Sequence, residues 1–413
     1  MSSARHPTLQ VLSIPNLRRL LVARFASRFG RSLVAAMLSY HLFIVTESYA
    51  ALGLLGLIEF LPAIPVSLFG GVLADRFDRR VLLMSASVSA LAGTLALAWI
   101  GAEAPSLVWG LFAMAFLLAI VEGFAAPAGS ALLPSLVPRG IFQNATVVSS
   151  GVTNAAFISG PIAMGFLIEP LGFGAPYALA SVSYLASIAS LALVRAPRIE
   201  GEPGRVSWRA VREGIVFVWR NQPILGSITL DMLAVIFAGA AALLPVYAEE
   251  ILEVGPQGYG LLRAAIGVGT FSMALVLMTL RPFQRPGRAL LVSVVCFGLA
   301  TLLFGLSRSF PLSLAAMALA GMADQISMTT RSVILQLSTP DALRGRVNAV
   351  NMIFIGASNE LGEAESGFLA SLTSAVFSVV AGGVVCLGVV GWIAARMPEL
   401  RDYRPVAVDA EGG

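Results

Sequence analysis

The chain has 413 residues, of which 57% are hydrophobic and 12% charged, with a mean hydropathy of +0.84. A soluble domain carries about 25% charged residues, so the composition excludes a soluble globular protein and points to an integral membrane protein with many spans. The net charge of +4 does not imply nucleic acid; it fits the surplus of basic residues that membrane proteins keep on the cytoplasmic side.

Cys296 and Cys386 both lie in apolar runs, which argues against a disulfide framework. His6 and His41 are the only histidines, so no metal site is expected. The opening MSSARHPTLQVLSIPNLRRL is polar and lacks a signal-peptide core, so the first span is expected to act as an uncleaved insertion signal.

A span needs about 20 apolar residues. Candidates fall at 20–46, 50–73, 81–101, 106–128, 145–168, 173–194, 224–248, 258–280, 289–307, 311–333, 347–371 and 373–395, which makes twelve. Arg24, Arg28 and Arg31 interrupt the first. One set of connections carries Arg76, Arg79, Arg80, Arg139, Arg195 to Arg220, Arg281, Arg285, Arg288, Arg344 and Arg346. The alternate set carries acids and Arg308. The first set is then cytoplasmic, as are both termini.

The longest connection, 195–223, opens with Pro, Gly and mixed charge. From Ser207 it turns amphipathic, with Trp208, Val211, Ile215, Val218 and Trp219 set against Arg209, Arg212, Glu213 and Arg220. This predicts a helix lying on the cytoplasmic membrane face. The expected organisation is a six-helix bundle over 1–194, a cytoplasmic linker over 195–223, and a second six-helix bundle with a short tail over 224–413. The halves resemble each other: LPSLVPRGIFQNATVV follows span 4 and LQLSTPDALRGRVNAV follows span 10, with Pro138 and Pro340 in corresponding places. A duplicated six-span unit leaves this kind of trace.

After span 2 comes GGVLADRFDRR. Gly71 lets helices approach closely, Asp75 closes one helix and accepts hydrogen bonds, and Arg76, Arg79 and Arg80 hold the turn at the phosphate-bearing surface. These residues match the loop signature of the major facilitator superfamily, whose second glycine is here Asp78, an acid placed to pair with Arg79 or Arg80. PNLRRLLVARFASRFG, GFAAPAGSALLPSLVP and TPDALRGRVNAV are similar to the macrolide-efflux and enterobactin-exporter branch. The resemblance implies an all-α integral membrane fold of twelve transmembrane helices in two pseudo-symmetric six-helix bundles. In span 5, SGPIAMG, with Gly160, Pro161 and Gly165, partly resembles an antiporter motif and suits a pliable, closely packed helix. Span 4 offers Glu122-Gly123 where another antiporter branch carries an arginine, so coupling through that arginine does not carry over.

A charge at mid-span costs about 2.5–3.5 kcal/mol on insertion scales. Such side chains need partners, protons or a wet cavity. The candidates for a substrate or proton pathway are Arg28, Arg31, Glu59, Glu122, Asp231, Asp324, Glu360 and Glu363. Glu360 falls near the bilayer centre, and Glu363 shares a stripe with Asn359 and Ser366. Glu360 and Glu363 are read either as carriers of a coupling proton (or of a cationic cargo) or as fixed ion pairs. Arg24 is expected to snorkel to the cytoplasm, and Arg28 and Arg31 to form an anion site or to counter the acids of span 11. Glu59 lies beside Pro62 and Pro65, which are expected to bend span 2. Arg331 is expected at the inner surface, Arg263 to snorkel outward, and Glu249, Glu250 and Glu253 to form a solvated rim.

The function this implies is secondary active transport: export of an amphipathic small molecule, drug-like or siderophore-like, in exchange for protons by alternating access. The chain is expected to work as a monomer, without cofactor, metal or nucleic acid, in the bacterial inner membrane. A facilitator or importer would share the architecture; a non-transporting sensor or scaffold would not need buried acids in several spans. No HExxH, GxSxG or P-loop supports an enzyme.

Overall fold

A computed structural model of the chain describes residues 11–76, 78–195, 208–281 and 283–404. Among these the regular elements are all helical. In chain order the long ones are α1 (Pro15–Thr46), α2 (Tyr49–Arg76), α3 (Arg79–Glu103), α4 (Val108–Leu136), α5 (Phe142–Leu171), α6 (Gly174–Ala192), α7 (Trp208–Arg220), α8 (Gln222–Ala238), α9 (Gly255–Thr279), α10 (Pro286–Leu306), α11 (Phe310–Ser338), α12 (Arg344–Leu372) and α13 (Ala375–Arg396). Nine stretches among the described residues are long and apolar enough to cross a membrane. α2, α11 and α12 complete twelve spans; the last two are long but interrupted by polar and charged side chains.

Local sequence explains where helices begin. Pro15, Pro223 and Pro286 sit in first turns, where the missing N–H costs nothing. Asn221 and Ser374 cap α8 and α13 by accepting from the Ile224 and Phe377 amides at 3.1 Å. α2 stays helical through Pro62 and Pro65. Span 7 departs from the single helix expected over 224–248. α8 stops at Ala238, a 3₁₀ turn covers Ala240–Leu243, a short α turn covers Leu244–Val246 and a π turn covers Tyr247–Ile251. Pro245 has no N–H to give the Ala241 carbonyl, which breaks the regular ladder here.

The described residues form two compact units: Met1–Arg205 with Ala241–Gly267, and Val206–Ala240 with Val268–Gly413. In the first, α1 packs on α4, α5 and α6, and α3 packs on α4 and α6. In the second, α8 packs on α11, α12 and α13, and α10 packs on α11 and α13. Span for span this is the same pattern, as a duplicated unit requires. Small residues set the approach within each unit. A Cβ on Gly160 would lie 2.8 Å from the Leu33 amide, and one on Gly382 1.8 Å from the Phe237 carbonyl. Large apolar side chains face outward, with Trp109 77% and Leu372 83% exposed, as lipid-facing surfaces do.

The predicted amphipathic helix forms as α7. Val218 is buried with Ile224, Ile228, Leu335, Val347 and Val350, while Trp219 is exposed. Glu213 pairs with Arg346 at the start of α12. Residues 196–207 of the predicted linker, and the side chains of Trp208, Arg209 and Val211, lie outside the described residues.

Candidate functional site

In the first unit the charged side chains of α1 and α4 meet. Arg24, Arg28 and Arg31 lie at i, i+4 and i+7, on one helix face. Arg28 donates to Glu122 Oε1 at 2.8 Å, and Arg31 pairs with the same oxygen. Glu122 is therefore a counter-ion shared by two guanidinium groups. Arg24 does not run to the surface as expected. It donates to Ser149 Oγ on α5 and, at 2.6 Å, to the Gly129 carbonyl on α4. Three arginines and the Glu122 carboxylate thus share this face. The Arg28 and Arg31 side chains are 36% and 48% exposed, and half-open guanidinium groups within a span require water or a polar occupant.

In the second unit the equivalent helices meet through charges of reversed sign. Asp231 of α8 pairs with Arg331 of α11, with side chains 8% and 5% exposed. Ser327 Oγ lies 3.5 Å from Asp231 Oδ1. Arg331, expected at the inner surface, is buried, because Asp231 is the partner that makes burial tolerable. Asp324 is on the same helix, partly buried. Glu360 and Glu363 are partly buried on α12, and Glu59 on α2. The structure thus brings together Arg28, Arg31 and Glu122, and separately Asp231 with Arg331. Sequence reasoning missed the engagement of Arg24 and Arg331; their reach across to other helices has no local signature.

A third polar group lies in the first unit. Tyr40 OH donates to Glu249 and Tyr49 OH to Glu250, each at 2.5 Å. Tyr259 OH donates to the Ala36 carbonyl at 3.1 Å and receives Arg263 at 3.0 Å, while the Tyr40 and Tyr259 rings stack at 5.5 Å. Glu249 and Glu250 are thus acceptors for tyrosine rather than a merely solvated rim, and Arg263 turns to Tyr259.

The signature loop resolves in part. Asp78 caps α3 by accepting from the Arg80 amide at 2.8 Å. It is a helix cap where pairing with an arginine side chain was expected. The Arg80 side chain donates to the Leu191 and Ala192 carbonyls at 2.8 and 2.5 Å, satisfying the orphan acceptors at the end of α6. The surroundings of Gly71 and the side chains of Asp75 and Arg76 are not among those the structure describes. Gly160 and Pro161 are buried in α5. A Cβ on Gly165 would come 2.5 Å from the Pro256 carbonyl, and one on Gly260 2.4 Å from the Pro161 carbonyl, so α5 and the start of α9 touch backbone to backbone.

Twelve spanning helices, a packing pattern used twice and charge pairs between spans define a multi-pass membrane transporter. Residues 20–363 match the Major Facilitator Superfamily, and the chain belongs to that family. It is similar to the enterobactin exporter EntS of Escherichia coli O157:H7 (strain EC4115 / EHEC), 27% identical over 406 residues that cover 97% of this chain and 96% of that protein. EntS of Escherichia coli O1:K1 / APEC is 26% identical over 395 residues, covering 94% of each. Solved structures share the fold. A POT family transporter in complex with a thioalcohol-conjugated peptide superposes with a TM-score of 0.73 at 15% identity, covering 93% of this chain and 96% of that one. The nucleoside transporter NupG superposes with a TM-score of 0.71 at 13% identity, covering 93% and 98%.

Proposed function

We propose that the chain exports an amphipathic small molecule of the siderophore or drug class across the bacterial inner membrane in exchange for protons, as a monomer with both termini in the cytoplasm. The observation that carries this reading is the end-to-end similarity to proteins named enterobactin exporters. The arginine-bearing face of α1 adds to it. Arg28 and Arg31 share one carboxylate and stay partly open, which suits a cargo bearing acidic or hydroxyl oxygens. In this reading the six-helix bundles expected over 1–194 and 224–413 expose the cargo to alternate sides in turn. Of the remaining candidates, Glu59, Glu360 and Glu363 are assigned to the substrate or proton pathway, and the loop Gly71, Asp75, Arg76, Arg79 and Arg80 steers the change of state. Gly160, Pro161 and Gly165 let α5 move without losing its close packing.

Inside-out membrane vesicles test both cargo and direction. With unmetallated enterobactin as probe and the lumen acidified, an exporter accumulates the probe in proportion to the pH difference. Right-side-out vesicles accumulate none. Uptake into right-side-out vesicles alone would make the protein an importer, and equilibration without accumulation in either would make it a facilitator.

A further inference from the structure

The duplication places an acid at one point in both halves. Glu122 stands 16 residues ahead of Pro138, and Asp324 stands 16 ahead of Pro340. Their surroundings differ. The Glu122 carboxylate is closed in by Arg28 and Arg31 from α1. The helix that takes the place of α1 in the second unit, α8, brings no arginine; its one charge is Asp231, which holds Arg331. Asp324 is left partly buried with no hydrogen-bond or ion-pair partner among the described residues.

The charged groups on the helices around α11 do not change this. Arg288, Arg344 and Arg346 sit at helix starts and pair with Asp402, Asp341 and Glu213. Arg263 of α9 donates to Tyr259. α12 contributes Glu360, Glu363 and Glu365, all acids, which cannot neutralise a carboxylate. A carboxylate in a span is neutralised by a cation beside it or by a proton. Glu122 and Asp231 have the first. We propose that Asp324 is the carboxyl that carries the coupling proton. This rests on the proton-coupled reading above. When the protein is open outward, the Asp324 carboxylate forms an O–H bond with a proton delivered by water. When it is open inward, that bond breaks and the proton passes to water on the cytoplasmic side. One proton enters for each cycle: the carboxyl is uncharged on the inward-going leg and is a carboxylate on the outward-going leg that carries the cargo.

The test compares wild type, Asp324→Asn and Asp324→Glu in proteoliposomes, with unmetallated enterobactin as probe. Two quantities are read: accumulation driven by a pH difference, and exchange of labelled for unlabelled probe at equal pH. Asp324→Asn is expected to lose driven accumulation, down to the level without a gradient, and to keep exchange. Asp324→Glu is expected to keep both, with the midpoint of its pH profile displaced. Full driven accumulation by Asp324→Asn overturns the assignment. So does loss of exchange in a variant that unfolds thermally like wild type, since Asp324 would then hold cargo or structure. If Asp324→Asn does not fold, an unshifted Asp324→Glu profile overturns it. A wild type that ignores the gradient defeats the proton-coupled reading instead. In that event infrared difference spectra between acid and neutral pH on the purified protein decide: a titrating carboxyl band absent from the Asp324 variants supports the proton site, and an identical band in them ends it.

Discussion

Arg331 on α11 and Asp231 on α8 close an ion pair whose two side chains are each more than nine-tenths shielded from solvent. Removing one member leaves a bare charge in a low-dielectric interior, which costs about 3–5 kcal/mol. Arg331→Met and Asp231→Asn should therefore each lower the thermal midpoint of the detergent-purified protein sharply. The double variant should recover most of the loss, because no charge is stranded. Additive losses in the double variant would show that the two side chains do not form one unit.

Glu122 has a different balance, since two arginines share it. Arg28→Gln or Arg31→Gln leaves one neutral pair. Glu122→Gln removes the carboxylate that both guanidinium groups share. The expected order of thermal midpoints is wild type, then either arginine variant, then Glu122→Gln. Both arginines are more than a third exposed, so solvent moderates every step. A Glu122→Gln midpoint above those of the arginine variants would contradict the shared counter-ion.

The spans were legible because hydrocarbon imposes length and apolarity on each of them. The duplication and the signature loop were legible as ordered spacing. The partners of the buried charges were not. For Arg28 and Arg31 the sequence suggests an anion site or the acids of span 11, and reaching Glu122 requires knowing that α1 lies against α4. Arg331 carried the same uncertainty, since seven-residue spacing to Asp324 puts both on one face and says nothing of Asp231 on α8. The break in span 7 was present as Gly239 and Pro245 but was outweighed by a continuous apolar run.

Asp78 replaces the family glycine of the signature loop and caps α3. Asp78→Ala should cost about 0.5–2 kcal/mol, whereas Asp78→Gly, the family residue, should cost only a few tenths. Chemical unfolding of the two variants side by side measures the difference. Equal losses would mean the carboxylate acts through charge rather than through the cap.

The Tyr40 and Tyr49 hydroxyls tie α1 and α2 to the irregular segment around the π turn. A hydrogen bond to a charged group contributes about 1.5–3 kcal/mol, or about tenfold to a hundredfold in an opening equilibrium. Tyr40→Phe should speed amide hydrogen exchange across 244–254 by about that factor and leave α10 and α13 unchanged. Unaltered exchange in 244–254 would show that ring stacking with Tyr259, not the hydroxyl, holds the segment.

Two glycines of α5 separate packing from propensity within one helix. A Cβ on Gly160 meets the backbone of α1 at 2.8 and 3.1 Å, and backbone cannot swing aside. Gly160→Ala should therefore separate the helices and cost about 1–3 kcal/mol as an overpacked contact. A Cβ on Gly151 finds nothing within 4 Å. There the substitution removes only the flexibility penalty of glycine in a helix, a gain of about 1 kcal/mol. Opposite shifts in thermal midpoint from the same chemical change are the expected result. A shared sign would mean that α5 does not sit against α1 at Gly160, and the close approach assigned to this helix would fall with it.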